Sequence, residues 1–186
     1  GNGDGIYHVT FDTVTREYRN IVANKNIVNP SYVVQSDDGE YLFAVNETKV
    51  YNEMASGYVS SFKINKETKE LTWISSQPTY GTDPCHLSIN SKRTHLFVAN
   101  FMSGSIAMYK VDPQGKLSNA TCSIQHEGFS INLNRQKGPH AHAVILSADE
   151  RFLFVPDLGI DAIVVYEIDY EHDTLVLRED LKLESK

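Results

Sequence analysis

Short runs of alternating apolar and polar residues, each closed by a polar turn, fill this chain. No stretch carries the i, i+3, i+4 apolar spacing of a helix. The runs repeat. Pro30–Asn46, Pro84–Asn100 and Ala141–Asp157 each hold an apolar strand, a polar turn, and a second strand built around Leu-Phe that ends at Asn or Asp. The turns are Ser36-Asp37-Asp38-Gly39, Asn90-Ser91-Lys92-Arg93 and Ser147-Ala148-Asp149-Glu150, which is hairpin chemistry. A third strand follows over 57–65, 104–112 and 162–169, where Phe62 and Ile64, Tyr109 and Val111, and Tyr166 and Ile168 share one face. Another polar turn leads to a fourth strand starting at Leu71, Leu117 or Leu175.

Four antiparallel strands repeated over about 50–57 residues predict an all-β fold, a β-propeller of four-stranded blades. A β-sandwich would give short strands without repeating its sequence. Residues 5–12 match the third strand of the other copies, and 18–22 fit a fourth. The chain therefore divides into the second half of a blade (1–28) and three blades (29–82, 83–138 and 139–186) of one propeller domain. Propellers close with typically about 4–8 blades, so this count reads as a fragment whose remaining blades are its first partners.

Composition narrows the function classes. The chain has 186 residues, with 17 Lys+Arg against 24 Asp+Glu and a formal charge of −7. A nucleic-acid binder would show a basic face. No apolar run approaches the ~18–20 residues that span a bilayer, so no membrane role is expected. Gly1-Asn2-Gly3-Asp4-Gly5 has neither the basic nor the apolar region of a secretory signal, and the missing initiator Met is expected to mark a cut or processed end. Cys85 and Cys122 cannot make a disulfide framework, which points to a reducing compartment, the cytoplasm. The sequons at Asn46 and Asn119 are read as unmodified on the same ground.

Repeat position converts to site position. The first strand of each blade lines the central channel, so the start of strand one and the end of strand two converge on one mouth. Residues 29–32 with Asn46 and Glu47, residues 83–86 with Asn100, and residues 138–142 with Asp157 meet there. These positions are rich in His, Asn, Asp and Glu, whereas the opposite tips carry ordinary turns.

The segments Val45-Asn46-Glu47, Gly81–His86, Val98-Ala99-Asn100, Gly138-Pro139-His140-Ala141-His142 and Phe154–Gly159 resemble the lactonase family of seven-bladed β-propellers. That family includes propeller-type 6-phosphogluconolactonases and carboxy-muconate lactonizing enzymes. The resemblance covers essentially the whole chain. It departs at His140-Ala141-His142, where many relatives have His-Pro-His. It implies about half of a seven-bladed ring and a hydrolase acting on a small-molecule sugar lactone, foremost 6-phosphogluconolactone, in the pentose phosphate route. A cycloisomerase acting on a muconolactone is the alternative within the family. A non-catalytic binding module is the alternative outside it.

Lactone hydrolysis needs a base for water and donors for an oxyanion. Glu47, His86 and His142 have the residue types for that work and are the catalytic candidates. His140, Asn100, Asp157 and Arg135 are the substrate-binding candidates, although the recurrence of Asn46, Asn100 and Asp157 at one repeat position argues for a structural job. If His140 and His142 lie on a strand, both face one side and could hold a metal. No CxxC or HExxH pattern supports that, and no cofactor or metal is required. Cys85 and His86 are neighbours on a strand and should point apart. His8, His95, His126 and His172 are assigned no role.

Overall fold

The computed structural model describes residues 3–184. Strands β1 (Gly5–Asp12) and β2 (Glu17–Lys25) form an antiparallel hairpin. Three antiparallel sheets follow, each winding outward in chain order. The first contains β3 (Pro30–Gln35), β4 (Tyr41–Asn46), β5 (Tyr58–Ile64) and β6 (Leu71–Pro78). The second contains β7 (Pro84–Ile89), β8 (His95–Asn100), β9 (Ser105–Val111) and β10 (Leu117–Gln125). The third contains β11 (Ile145–Leu146), β12 (Phe152–Asp157), β13 (Ala162–Asp169) and β14 (Thr174–Leu177). A 3₁₀ turn at Glu179–Leu181 then breaks the outer strand, and β15 (Leu183–Glu184) resumes pairing with β13.

Local chemistry sets the turns. In the first and third sheets, Ser36 and Ser147 donate to Asp38 and Asp149, whose carboxylates take the N–H groups of Glu40 and Arg151. The residue closing each inner turn is left-handed: Gly39 (φ 68°), Arg93 (φ 54°) and Glu150 (φ 57°). Each turn is a four-residue hairpin loop built on an i to i+3 turn, and its left-handed position is filled twice without glycine. Asn65, Asp112 and Asp169 cap the outer turns by accepting backbone N–H groups two or more residues ahead.

The core lies between sheets. The second sheet is covered on both faces, so every residue of β8 is buried. Phe97, Ala99, Ile106 and Met108 pack against Leu153, Val155, Val164 and Tyr166 of the third sheet. The alternate positions Leu96, Val98, Ala107 and Tyr109 pack against Phe43, Val45 and Val59 of the first. Period-two alternation thus builds two apolar interfaces rather than one core and one wet face.

One local expectation fails. The paired histidines are not on a strand: β11 holds only Ile145 and Leu146, and Ala141 makes a single bridge to Asp157. The backbone of Val144 is used by the neighbouring sheet instead. Its N–H donates to His86 Nδ1 at 3.3 Å, and its carbonyl accepts from the Ser88 hydroxyl. The inner strands also slip register between Pro30 and Tyr32 and between Pro84 and His86. Cys85 therefore sits in a bulge rather than in simple alternation with His86.

Candidate active site

A repeated backbone bond builds the mouth. Glu47 N–H donates to Asn29 O at 3.0 Å, Phe101 N–H to Asp83 O at 2.9 Å, and Leu158 N–H to His140 O at 3.0 Å. Each ties the residue after strand two to the segment entering strand one. Asn29, Asp83 and His140 are thereby held at corresponding places in three consecutive sheets, as are Glu47, Phe101 and Leu158. Asn29 adds a side-chain bond from its Nδ2 to Glu47 O at 2.6 Å.

Rings from neighbouring sheets touch at these ends. The His86 ring lies on Tyr32 with centroids 4.2 Å apart. Its Nδ1 accepts the Val144 N–H, so the neutral ring carries its proton on Nε2. Burial, and after it the charge of nearby His142, hold the His86 imidazole below its ordinary pKa. His142 is exposed. Its backbone N–H donates to Pro156 O at 3.0 Å, and its ring meets Phe101 edge-on at 5.4 Å. His140 stacks flat on the same Phe101 at 4.8 Å, and its Nδ1 bonds Phe101 O at 3.0 Å. Both imidazoles thus contact a single phenyl ring, one flat and one edge-on, a placement achieved without a strand.

Cys85 meets the backbone beside them. Its thiol approaches the carbonyls of Ala99, Ala141 and His142, the last at 3.4 Å. Burial pushes the thiol up to about 12, with the charges of Glu47 and Asp83 adding to it. A thiol so placed is no nucleophile near neutral pH. The Glu47 carboxylate lies within electrostatic reach of Cys85.

Asn100 and Asp157 stand behind this surface. Asn100 is fully buried and gives its Nδ2 hydrogens to Thr79 O (3.0 Å) and Ser105 Oγ (3.1 Å). Asn46 does the same work, donating to Val28 O at 2.6 Å and accepting from Ser60. Asp157 is 2% exposed and accepts four hydrogen bonds, from His126, His140, Gly159 and Ile160. These side chains fasten strand ends to the incoming segments; they present little to the channel. Arg135 is exposed on the loop between β10 and the paired histidines, which Gln136 anchors by donating to Leu158 O. Among the described residues no cluster of His, Cys, Asp and Glu is arranged to hold a metal ion.

Three participants were not singled out from sequence. Phe101 and Tyr32 serve as ring platforms; the signals were adjacency to Asn100 for Phe101 and membership of segment 29–32 for Tyr32. His126, assigned no role above, is buried against Asp157. Nothing local marks it, because its burial depends on a residue 31 positions away.

A family model described as lactonase, 7-bladed β-propeller, matches residues 1–186. The 6-phosphogluconolactonase of Bacillus subtilis is 26% identical over 90% of this chain and 46% of its own length. The 6-phosphogluconolactonase of Formosa agariphila is 28% identical over 91% of this chain and 47% of its own length. Among solved structures, a periplasmic gluconolactonase of Pseudomonas aeruginosa superposes with a TM-score of 0.87 at 27% identity, covering 100% of this chain and 53% of that one. The chain spans about half the length of the curated relatives it matches.

Proposed function

The chain belongs to the lactonase family of seven-bladed β-propellers, and on that premise we propose that the protein containing it hydrolyses a sugar lactone at the mouth described above, with 6-phosphogluconolactone as substrate. One observation carries the reading. A half-buried, neutral His86, whose Nε2–H has no partner among the described residues, lies within electrostatic reach of an exposed His142, and the Glu47 carboxylate lies within reach of the adjacent Cys85. These are an oxyanion donor, a proton carrier and a charge to orient it.

In this scheme water attacks the lactone carbonyl and His142 takes its proton. The carbonyl oxygen becomes an oxyanion that His86 Nε2–H stabilises. The tetrahedral intermediate collapses by breaking the bond to the ring oxygen, and His142 returns the proton to that oxygen. The products are the free hydroxyl and the carboxylic acid, which then ionises. Glu47 orients the water and favours the transient imidazolium. His140 contacts substrate, and Arg135 meets the phosphate. Cys85 and Cys122 are both free, which supports a reducing compartment, and we place the protein in the cytoplasm.

The test is hydrolysis of 6-phosphogluconolactone by the full-length protein, measured against spontaneous opening. Glu47→Gln and His142→Ala should each lower kcat by about 100-fold or more, the usual scale of acid–base catalysis. A full-length rate no greater than the spontaneous one, or an unchanged rate in both variants, overturns the assignment. Turnover of a muconolactone in its place would move the protein to the cycloisomerase branch.

A further inference from the structure

Three corresponding strand ends carry Asn46, Asn100 and Asp157. At the first two, a carboxamide donates to a backbone carbonyl of the incoming segment, Val28 O or Thr79 O. A carboxylate cannot donate, so the third copy must be wired differently. His126 occupies the place of Thr79: Thr79 N–H donates to Gly57 O, and His126 N–H to Gly104 O. There the ring of His126 supplies the donor, Nδ1 to Asp157 Oδ2 at 2.7 Å. The exchanges of Asn for Asp and of Thr for His therefore belong together.

The exchange frees the other carboxylate oxygen. Asp157 Oδ1 accepts N–H bonds from His140 at 2.7 Å, Gly159 at 2.9 Å and Ile160 at 3.3 Å. No equivalent reaches Asn100, whose Oδ1 is buried without a partner among the described residues. Burial opposes ionisation of Asp157, but the His126 and His140 bonds outweigh it and keep the carboxyl below its ordinary pKa. Hydrogen bonds to a carboxylate are roughly twice as strong as neutral ones. Donation from Nδ1 also orients the His126 ring, whose Nε2 is buried without a partner among the described residues.

We propose that Asp157 and His126 are a positioning pair that sets the paired-histidine segment for catalysis, a role that rests on the lactonase reading of this mouth. Neighbouring sheets tie the same strand end with one Asn and a carbonyl, so fastening alone does not call for a buried carboxylate and imidazole. What the pair adds is a grip on the His140 amide. His140 is then held on both sides, by Asp157 at N–H and by Leu158 at C=O. Its ring rests on Phe101, and Phe101 supports the edge of His142. The chain of contact runs from His126 through Asp157 and His140 to the exposed imidazole. Neither Asp157 nor His126 touches substrate in this account.

The test compares Asp157→Asn with the double variant Asp157→Asn/His126→Thr, which installs the wiring seen at Asn100 and Thr79, in the full-length protein. Amide hydrogen exchange at His140 reads the grip without any turnover. Asp157→Asn should speed that exchange about tenfold or more and lower kcat about 10- to 100-fold with KM nearly unchanged, the scale of a small misplacement of reacting groups. The double variant should recover thermal stability while exchange stays fast and kcat stays low. Recovery of kcat in the double variant shows a merely structural role and overturns the pair's assignment, as does unchanged His140 exchange in Asp157→Asn. A wild-type protein without lactonase activity fails the functional reading instead, and the exchange result then still decides whether the grip exists.

Discussion

Truncating Asn100 to Ala separates fastening from substrate binding more cleanly than any other single change. Asn100 is fully buried, and the substitution removes its bonds to Thr79 O at 3.0 Å and Ser105 Oγ at 3.1 Å. Each bond is worth a net of about 0.5–1.5 kcal/mol, and the orphaned Thr79 carbonyl costs a further ~1–3 kcal/mol. Ser105 Oγ keeps Ser103 Oγ at 2.9 Å, so it is not stranded. The lost Oδ1 had no partner among the described residues, and its removal returns part of the penalty. The balance is a loss of about 2–3 kcal/mol. Urea unfolding of the full-length protein, with m held constant, reads this as a lower midpoint. Kinetics on the same preparation below the transition should give a KM within about twofold of the parent. The reasoning is refuted by a stability change under about 0.5 kcal/mol, the size of an ordinary surface substitution, together with a KM raised tenfold or more.

Three further outcomes follow from the same structure. The Cys85 thiol, pushed up to about 12 by burial first and the Glu47 and Asp83 charges after it, should resist iodoacetamide at pH 8, and Cys85→Ser should keep the parent's activity; rapid labelling of native protein contradicts this. The His86 pKa is lowered, so its stabilising contribution is present above the ordinary 6.5 and is lost as pH falls through the folded value; His142→Ala should raise the ring's NMR titration midpoint toward 6.5, still short of it because burial remains, and an unmoved midpoint would place the two rings out of reach of one another. Asp173 joins the third sheet to the second through His95 Nε2 at 2.9 Å and Lys110 Nζ at 2.8 Å, and these partners, His95 first, lower its pKa. That contribution is present above the ordinary 3.8 and is lost as pH falls through the folded value, so Asp173→Asn should melt earlier near neutral pH and converge with the parent in acid.

The repeat was legible because each copy spells its strands and turns alike. Leu42-Phe43, Leu96-Phe97 and Leu153-Phe154 mark the same second strand, and the Ser-x-Asp turns recur beside them. Position in that repeat brought Asn29, Asp83 and His140 to equivalent places, and recurrence of Asn46, Asn100 and Asp157 suggested the fastening their hydrogen bonds describe. The conformation of residues 139–144 was not legible. It depends on His86 and Ser88 capturing the Val144 backbone, contacts between residues more than 50 positions apart that alternation within one strand does not encode. The bulge at Cys85 was hidden for a related reason: one extra residue leaves the apolar pattern on either side intact. His126 illustrates the limit most sharply, since its meaning arises only when Asp157 replaces Asn at the partner position.

The most direct measurement of the central claim is a crystal structure of the full-length protein with 6-phosphogluconate, the hydrolysis product, bound. The account predicts its new carboxylate against His86 Nε2 and His142, with Glu47 at the edge and the Asp157–His126 pair behind, untouched. Product seated away from these three side chains, on another face of the propeller, would contradict it.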